Sequence, residues 1–206
     1  MKTMRITVWI FAGFVALMAA AVLIGGDKIP WNRFFGGSGG GQPVAAAFDK
    51  PFEVIDFNGN KFDQDSLKGK PSAIFFGYTF CPDVCPNTLS EASDWMEALG
   101  KDADKVRIIF VTVDPERDTK QKVKDYLDSF DERFLGLTGT KEQVASIVKA
   151  FGVFVEKGEV KDGEYLVSHT SRIYLINGQG RFAGTIGYKE ETKNALSKIR
   201  RLIASS

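Results

Sequence analysis

Gly77-Tyr78-Thr79-Phe80-Cys81-Pro82-Asp83-Val84-Cys85-Pro86-Asn87 contains both cysteines of the chain. The apolar run from Ser72 to Phe76 before it has the length of a buried strand, and Thr88 to Leu99 after it carries a helical pattern. The cysteines therefore fall on a strand-to-helix loop. In an open α/β sheet such loops lie at the carboxyl ends of the strands, where ligands collect, and the following helix N-terminus favours thiolates. Two thiols there form a candidate reactive centre.

Working outward, Phe52 to Phe57, then Asn58-Gly59, then Asn60 to Phe62 reads as a β-hairpin with a type I′ turn. Ser66 to Gly69 is a short helical turn or loop leading into the strand before the cysteines. Beyond the first helix, Val106 to Val113 is a second buried strand, stopped by Asp114-Pro115. Helices follow over 119–130 and 141–151, with Val123, Tyr126, Leu127 and Phe130 on one stripe and Val144, Ile147, Val148 and Phe151 on the other. These stripes are core and not cofactor contacts. Val153 to Val155 and Tyr165 to Val167 read as a ribbon. Ser171 to Ile176 and Arg181 to Ile186 are strands joined at Asn177-Gly178-Gln179-Gly180, and a last helix over 190–203 buries Leu196, Ile199 and Ile203. Strand, helix, strand, helix, an antiparallel pair and a closing helix make the plan of a thioredoxin-like α/β domain.

Upstream, Met1 to Arg5 precedes Ile6 to Ile24, an uncharged apolar run that spans roughly 29 Å as a helix and matches a bilayer core. It reads as a single transmembrane anchor over 1–24. A cleaved signal peptide is the competing reading, but its apolar segment is usually shorter. Lys2 and Arg5 place the N-terminus in the cytoplasm and the rest outside. With no Arg-rich and Ser-rich presequence, the expected location is a bacterial inner membrane with the domain in the periplasm. Residues 25–47 are Gly-rich and read as a flexible linker, with Trp31, Phe34 and Phe35 at the membrane interface. The folded domain is expected over 48–206. With 206 residues, 44% of them hydrophobic, and a net charge of +1, the chain can bury one core and offers no electrostatic basis for binding nucleic acid.

The periplasm permits disulfides, so the ordinary reading of Cys81 and Cys85 is a structural bridge. So small a loop removes little chain entropy. The Cys-x-x-x-Cys spacing suits either a disulfide or one metal ion, and spacing alone does not decide. The count of other ligands does more. His169 is the one histidine of the chain, giving three nitrogen and sulfur ligands in all. A closed structural zinc site usually takes four, and the Cys-x-x-Cys-His of c-type haem is absent. Three soft or borderline ligands suit Cu(I). A lone histidine is usually a surface or satisfied polar residue. His169, however, stands in Ser168-His169-Thr170 just before a strand, where it can face the cysteine loop. Asp114 and Asp118 follow the second strand; the first reads as a turn residue, and Asp118 or Thr119 as a helix cap, the alternative being that the two charges tune the site or contact a partner.

Gly77 to Pro86, Val113-Asp114-Pro115-Glu116-Arg117-Asp118-Thr119 and a downstream histidine before a Tyr-Leu strand together resemble the Sco/SenC family. The resemblance runs from about Phe52 to Ile203. It implies a thioredoxin-like, membrane-tethered copper protein that assembles the CuA centre of cytochrome c oxidase subunit II, with Cys81, Cys85 and His169 as ligands of Cu(I) or Cu(II). An upstream periplasmic copper donor or thiol reductant is a further implied partner. Two departures stand out: the family often has Asp before the histidine where this chain has Ser168, and Pro where it has Lys120. The first bears on what supports His169.

Two functions fit. One is a metallochaperone and not an enzyme. The other is a thiol-disulfide oxidoreductase, with Cys81 and Cys85 as its redox pair, that reduces the subunit II cysteines before metal arrives. Thioredoxin-type oxidoreductases generally face Cys-x-x-Cys with a cis-proline, whereas this chain has the longer spacing and no proline after Pro115. Copper delivery is therefore placed first.

Overall fold

Strand β3 (Ser72–Gly77) is buried along its whole length because it has a strand on either side and helices over both faces. It pairs in parallel with β4 (Arg107–Thr112) and antiparallel with β8 (Ile173–Ile176). The computed structural model describes residues 50–206. The expected membrane anchor and Gly-rich linker lie outside those residues; among the described residues no helix is long and apolar enough to cross a membrane.

With β1 (Glu53–Asp56), β2 (Lys61–Asp63), β5 (Leu135–Thr138) and β9 (Phe182–Ile186), these strands form a seven-stranded sheet in the order β2-β1-β5-β4-β3-β8-β9. A separate ribbon pairs β6 (Val155–Lys157) with β7 (Val167–His169). The helices are α1 (Val84–Leu99), α2 (Lys120–Asp128), α3 (Lys141–Ala150) and α4 (Thr192–Ala204). One sheet face carries Phe75, Gly77 and Phe110 towards Cys85 of α1 and Tyr126 of α2. The other carries Phe76 and Tyr174 against Phe151 at the end of α3. The thioredoxin-like plan stands.

Four details depart from the sequence reading. Helix α1 begins at Val84, so Cys85 is on the helix and not on the loop. Pro86 sits in its first turn, where a missing N–H costs nothing, and there a proline disguises a helix start. Strand β5 was unexpected. It is four residues long and includes Gly136, which has no side chain to signal a strand but lets Val123 and Leu127 of α2 pack close to the sheet.

Third, the β1–β2 turn is not type I′, since only Gly59 has positive φ. The Asp56 carbonyl accepts from Gly59 N–H, and its carboxylate oxygen accepts from the N–H groups of Asn58 and Asn60 at 2.8 Å each. That is a three-residue loop with glycine in the bulge position. The β8–β9 turn repeats it, with Asn177 in the role of Asp56 and Gly180 in that of Gly59. The Asx residue at the first position holds both turns open by one residue. Lastly, α4 buries Ala195, Ile199 and Leu202, leaving Leu196 and Ile203 at the core margin.

Candidate metal centre

The site is built from two pieces of chain that meet above the carboxyl end of β3. The first is the loop and helix start carrying the cysteines. Cys81 lies in the loop, its N–H donating to the Tyr78 carbonyl at 3.2 Å. Cys85 is fully buried in the first turn of α1, and its N–H points back at Cys81 Sγ, 3.4 Å away. The second piece is the β6–β7 ribbon. Period-two alternation turns Val167 and His169 inward and leaves Ser168 exposed.

Cys81 Sγ, Cys85 Sγ and a His169 ring nitrogen all lie within 4.8 Å of one another, and Cys85 Sγ is 3.6 Å from His169 Nε2. The sulfurs are not bridged. His169 Nδ1 is 3.1 Å from the Thr170 carbonyl, which can only accept. Nδ1 therefore donates to that carbonyl, and Nε2 is the ring nitrogen turned towards the sulfurs. The support of His169 is thus a backbone carbonyl. Ser168, where the family often has Asp, faces away from the site.

Packing fixes each donor. Gly77 is directly beneath the cysteines: a Cβ there would lie 2.8 Å from Cys85 Sγ and 2.8 Å from Phe110 Cε2. The ring of His169 meets Phe75 and Tyr78 edge-on, with centroids 6.1 and 5.9 Å away. Tyr78 also accepts the Val167 N–H on its hydroxyl at 3.2 Å, tying the end of β3 to the ribbon two residues before His169.

The two thiols are inequivalent. The Cys81 thiol is pushed down to about 3, first by the hydrogen bond from Cys85, then by His169 and the N–H groups of Asp83 and Cys85. Cys85 is pushed up, by the hydrogen bond it gives Cys81 and by its burial. The pair therefore holds one proton, on Cys85, and one negative charge, on Cys81.

Of the two cap candidates, Asp118 is not the cap. Thr119 is the N-cap of α2, accepting from Lys122 N–H. Asp118 is fully buried and accepts from Thr79 N–H at 3.0 Å, Thr79 Oγ1 at 2.6 Å and Thr112 Oγ1 at 2.6 Å. It ties the cysteine loop to the end of β4. Burial pushes its carboxyl above the usual range, and these hydrogen bonds pull it partly back. Asp114 does fix its turn, accepting from Arg117 Nε at 2.6 Å, and it also accepts from the Tyr165 hydroxyl of the ribbon at 2.7 Å. Tyr78, Arg117 and Tyr165 carry no spacing or composition signal; their roles depend on contacts between distant segments.

Two cysteine sulfurs and one imidazole nitrogen form a soft, three-donor set in a thioredoxin-like domain, and such donors fit a copper ion. Comparison with known proteins agrees. Residues 40–204 match the SCO1/SenC family model, and the chain belongs to that family. It is 40% identical over 162 residues to the mitochondrial protein SCO2 of Saccharomyces cerevisiae, covering 77% of this chain and 54% of the relative. The chain thus spans about half the length of that relative. Among solved structures, it resembles copper-bound ScoI of Bradyrhizobium japonicum at 46% identity and a TM-score of 0.69, covering 74% of this chain and 97% of that one. Copper-bound yeast Sco1 matches at 35% identity and a TM-score of 0.70, covering 76% and 88%.

Proposed function

We propose that this protein is a copper metallochaperone that takes up Cu(I) on Cys81, Cys85 and His169 and delivers it to the CuA centre of cytochrome c oxidase subunit II. The observation that carries this reading is the convergence of the three donors within 4.8 Å from segments 84 residues apart, with His169 Nε2 free to coordinate. Disulfide exchange has no need of that histidine. Copper-bound members of the family support the choice of metal.

A site of three donors, two of them partly exposed, suits a carrier: an acceptor thiolate can approach from the Cys81 side and replace the donors one at a time. The apolar run Ile6 to Ile24, flanked by Lys2 and Arg5, supports tethering in a bacterial inner membrane with the domain in the periplasm, within reach of a membrane oxidase. An upstream periplasmic donor would load the site.

The inequivalence of the cysteines favours a second activity at the same place. Cys81, held as thiolate and partly exposed, can attack a client disulfide to form a mixed disulfide; Cys85 then loses its proton and displaces the client sulfur. Two electrons pass to the client dithiol, and Cys81–Cys85 becomes the disulfide.

The test is anaerobic titration of the reduced full-length chain in mild detergent with Cu(I) against a chromophoric competitor, alongside His169→Ala. One-to-one binding that weakens at least tenfold in the variant is expected. Equal binding without His169 overturns the three-donor site and leaves disulfide exchange as the function.

A further inference from the structure

The guanidinium of Arg117 is enclosed by aromatic rings that belong to the two halves of the site. Its central carbon lies 4.7 Å from the ring centroid of Phe80, the residue before Cys81, and 5.7 Å from that of Tyr78. On its other side it lies 3.6 Å from the ring centroid of Tyr165, on the ribbon that ends in His169. Asp114 holds both partners at once, accepting from Arg117 Nε through one carboxylate oxygen and from the Tyr165 hydroxyl through the other. Lys157, also on the ribbon, closes the far face of Tyr165 at 3.9 Å and donates to Glu116 at 2.7 Å. Nη2 of Arg117 is buried with no hydrogen-bond partner, so ring faces and not acceptors surround that end of the group. The Arg117 side chain is only 15% exposed.

The ribbon needs such a fastening. Its two strands form their own sheet and share no ladder with the sheet that carries the cysteine loop. Besides the Cys85 Sγ–His169 Nε2 contact of the site itself, the polar ties across the gap are the Tyr78–Val167 hydrogen bond and the contacts of residues 114–117. One residue further, Asp118 binds Thr79 of the cysteine loop. The segment Asp114–Asp118 therefore grips the cysteine half at one end and the histidine half at the other.

We propose that Arg117 is a positioning residue for the metal site: stacked between Phe80 and Tyr165, it sets the spacing between the Cys81–Cys85 half and the His169 half. The inference rests on the three-donor copper reading above and adds to it the device that assembles the third donor. Its effect acts through His169 alone. Loss of the stack leaves the two sulfurs in place and lets the ribbon swing away, turning a three-donor site into a two-sulfur one.

The experiment is a double-mutant cycle on the reduced full-length chain in mild detergent, titrated with Cu(I) as above. Arg117→Met, which keeps an unbranched apolar stem, is made alone and together with His169→Ala. With His169 present, Arg117→Met is expected to weaken Cu(I) binding about tenfold, as removal of an outer support typically does. In the His169→Ala background it is expected to change binding less than about twofold, because the donor it positions is gone. X-ray absorption of the Cu(I)-loaded Arg117→Met protein should show two sulfurs and no nitrogen, against two sulfurs and one nitrogen in the parent. Arg117→Lys retains the charge but not the planar stack, and should behave as Arg117→Met does.

Equal weakening in both backgrounds, full retention of the nitrogen ligand, or full restoration by Arg117→Lys overturns the inference. If Arg117→Met does not fold, as judged by circular dichroism and its thermal midpoint, Phe80→Ala and Tyr165→Leu each remove one wall of the stack, and the same outcomes apply. If His169→Ala alone leaves binding unchanged, the three-donor reading fails. If His169→Ala weakens binding and Arg117→Met does not, only the positioning role fails.

Discussion

Gly77→Ala tests whether the cysteine pair is held by packing from below. The added Cβ would sit 2.8 Å from both Cys85 Sγ and Phe110 Cε2, and 3.1 Å from Phe75 Cε1. Ordinary contact needs about 3.6 Å, so two neighbours must each retreat by roughly 0.8 Å. Neither has room, since Cys85 and Phe110 are both completely buried. Overpacking of this kind costs about 1–3 kcal/mol, which denaturant unfolding of the apo chain would read. Cys85 Sγ is one of the two atoms that must move, so part of the displacement falls on the donor itself. Cu(I) affinity should drop by about tenfold or more, equivalent to roughly 1.4 kcal/mol. Gly136→Ala is the control: its Cβ would overlap Val123 Cγ1 and lie 2.8 Å from Leu127 Cδ1, under α2 and away from the sulfurs. It should cost at least as much stability and leave copper affinity unchanged. Retention of full affinity in Gly77→Ala, or an equal loss in Gly136→Ala, refutes the claim that packing at Gly77 places Cys85.

The remaining predictions concern protons and the buried carboxylate. Alkylation of Cys81 by iodoacetamide should be nearly independent of pH between 5 and 7, because its thiol is held down to about 3, whereas an ordinary thiol would slow about a hundredfold on that descent. Since Cys85 alone retains a proton, Cu(I) binding should release one proton between pH 7 and 8, so affinity rises about tenfold per pH unit; calorimetry in buffers of different ionisation enthalpy counts it, and a count near zero or two contradicts the shared-proton pair. Asp118→Ala strands Thr79 N–H and two hydroxyls and should cost about 3–5 kcal/mol, while Asp118→Asn keeps one acceptor for Thr79 N–H and Thr112 Oγ1 and turns its NH2 to Thr79 Oγ1, which can accept, and should cost less than half as much by denaturant unfolding. Burial raises the folded carboxyl of Asp118 above its unfolded value, so its contribution is fullest at acid pH and falls as pH rises; the stability of the parent relative to Asp118→Asn should therefore be greater at pH 4 than at pH 7.

Much of this was legible because it is local. The run Ser72 to Phe76 is a buried strand on any reading, and the stripes of α2 and α3 lie in the core as their spacing requires. The three donors stood out because no other cysteine or histidine competes with them. What stayed hidden is tertiary. Asp118 has the composition of a cap, and only the packing of Thr79 and Thr112 around it makes it a buried anchor. Arg117 looks like one charge in a mixed run until Phe80 and Tyr165, 37 and 48 residues away in opposite directions, close over it. Strand β5 was missed because Gly136 trades strand propensity for close approach of α2. The early start of α1 was missed because Pro86 reads as a breaker everywhere except the first turn.

The sheet register explains why a histidine so far along the chain arrives above the cysteines. β8 runs antiparallel to β3, and its first residue, Ile173, is opposite Phe75. Two residues beyond Phe75, β3 ends at Gly77 and the chain turns into the cysteine loop. The segment entering β8 must therefore come down past that same end of the sheet, and His169 lies four residues before Ile173, a reach of at most about 14 Å. Any residue at that point of the chain would overhang the loop. Antiparallel pairing of β7 with β6 then selects which side chain faces in, since a slip of one residue would present Ser168 and turn the imidazole to solvent. The Cys half of the site is thus set by chain continuity with β3, and the His half by the β3–β8 register together with the ribbon and its fastening at residues 114–117. Loss of either cysteine should abolish metal binding, while loss of His169 or of its fastening should grade it, leaving a two-sulfur site that still holds Cu(I) but holds it less firmly.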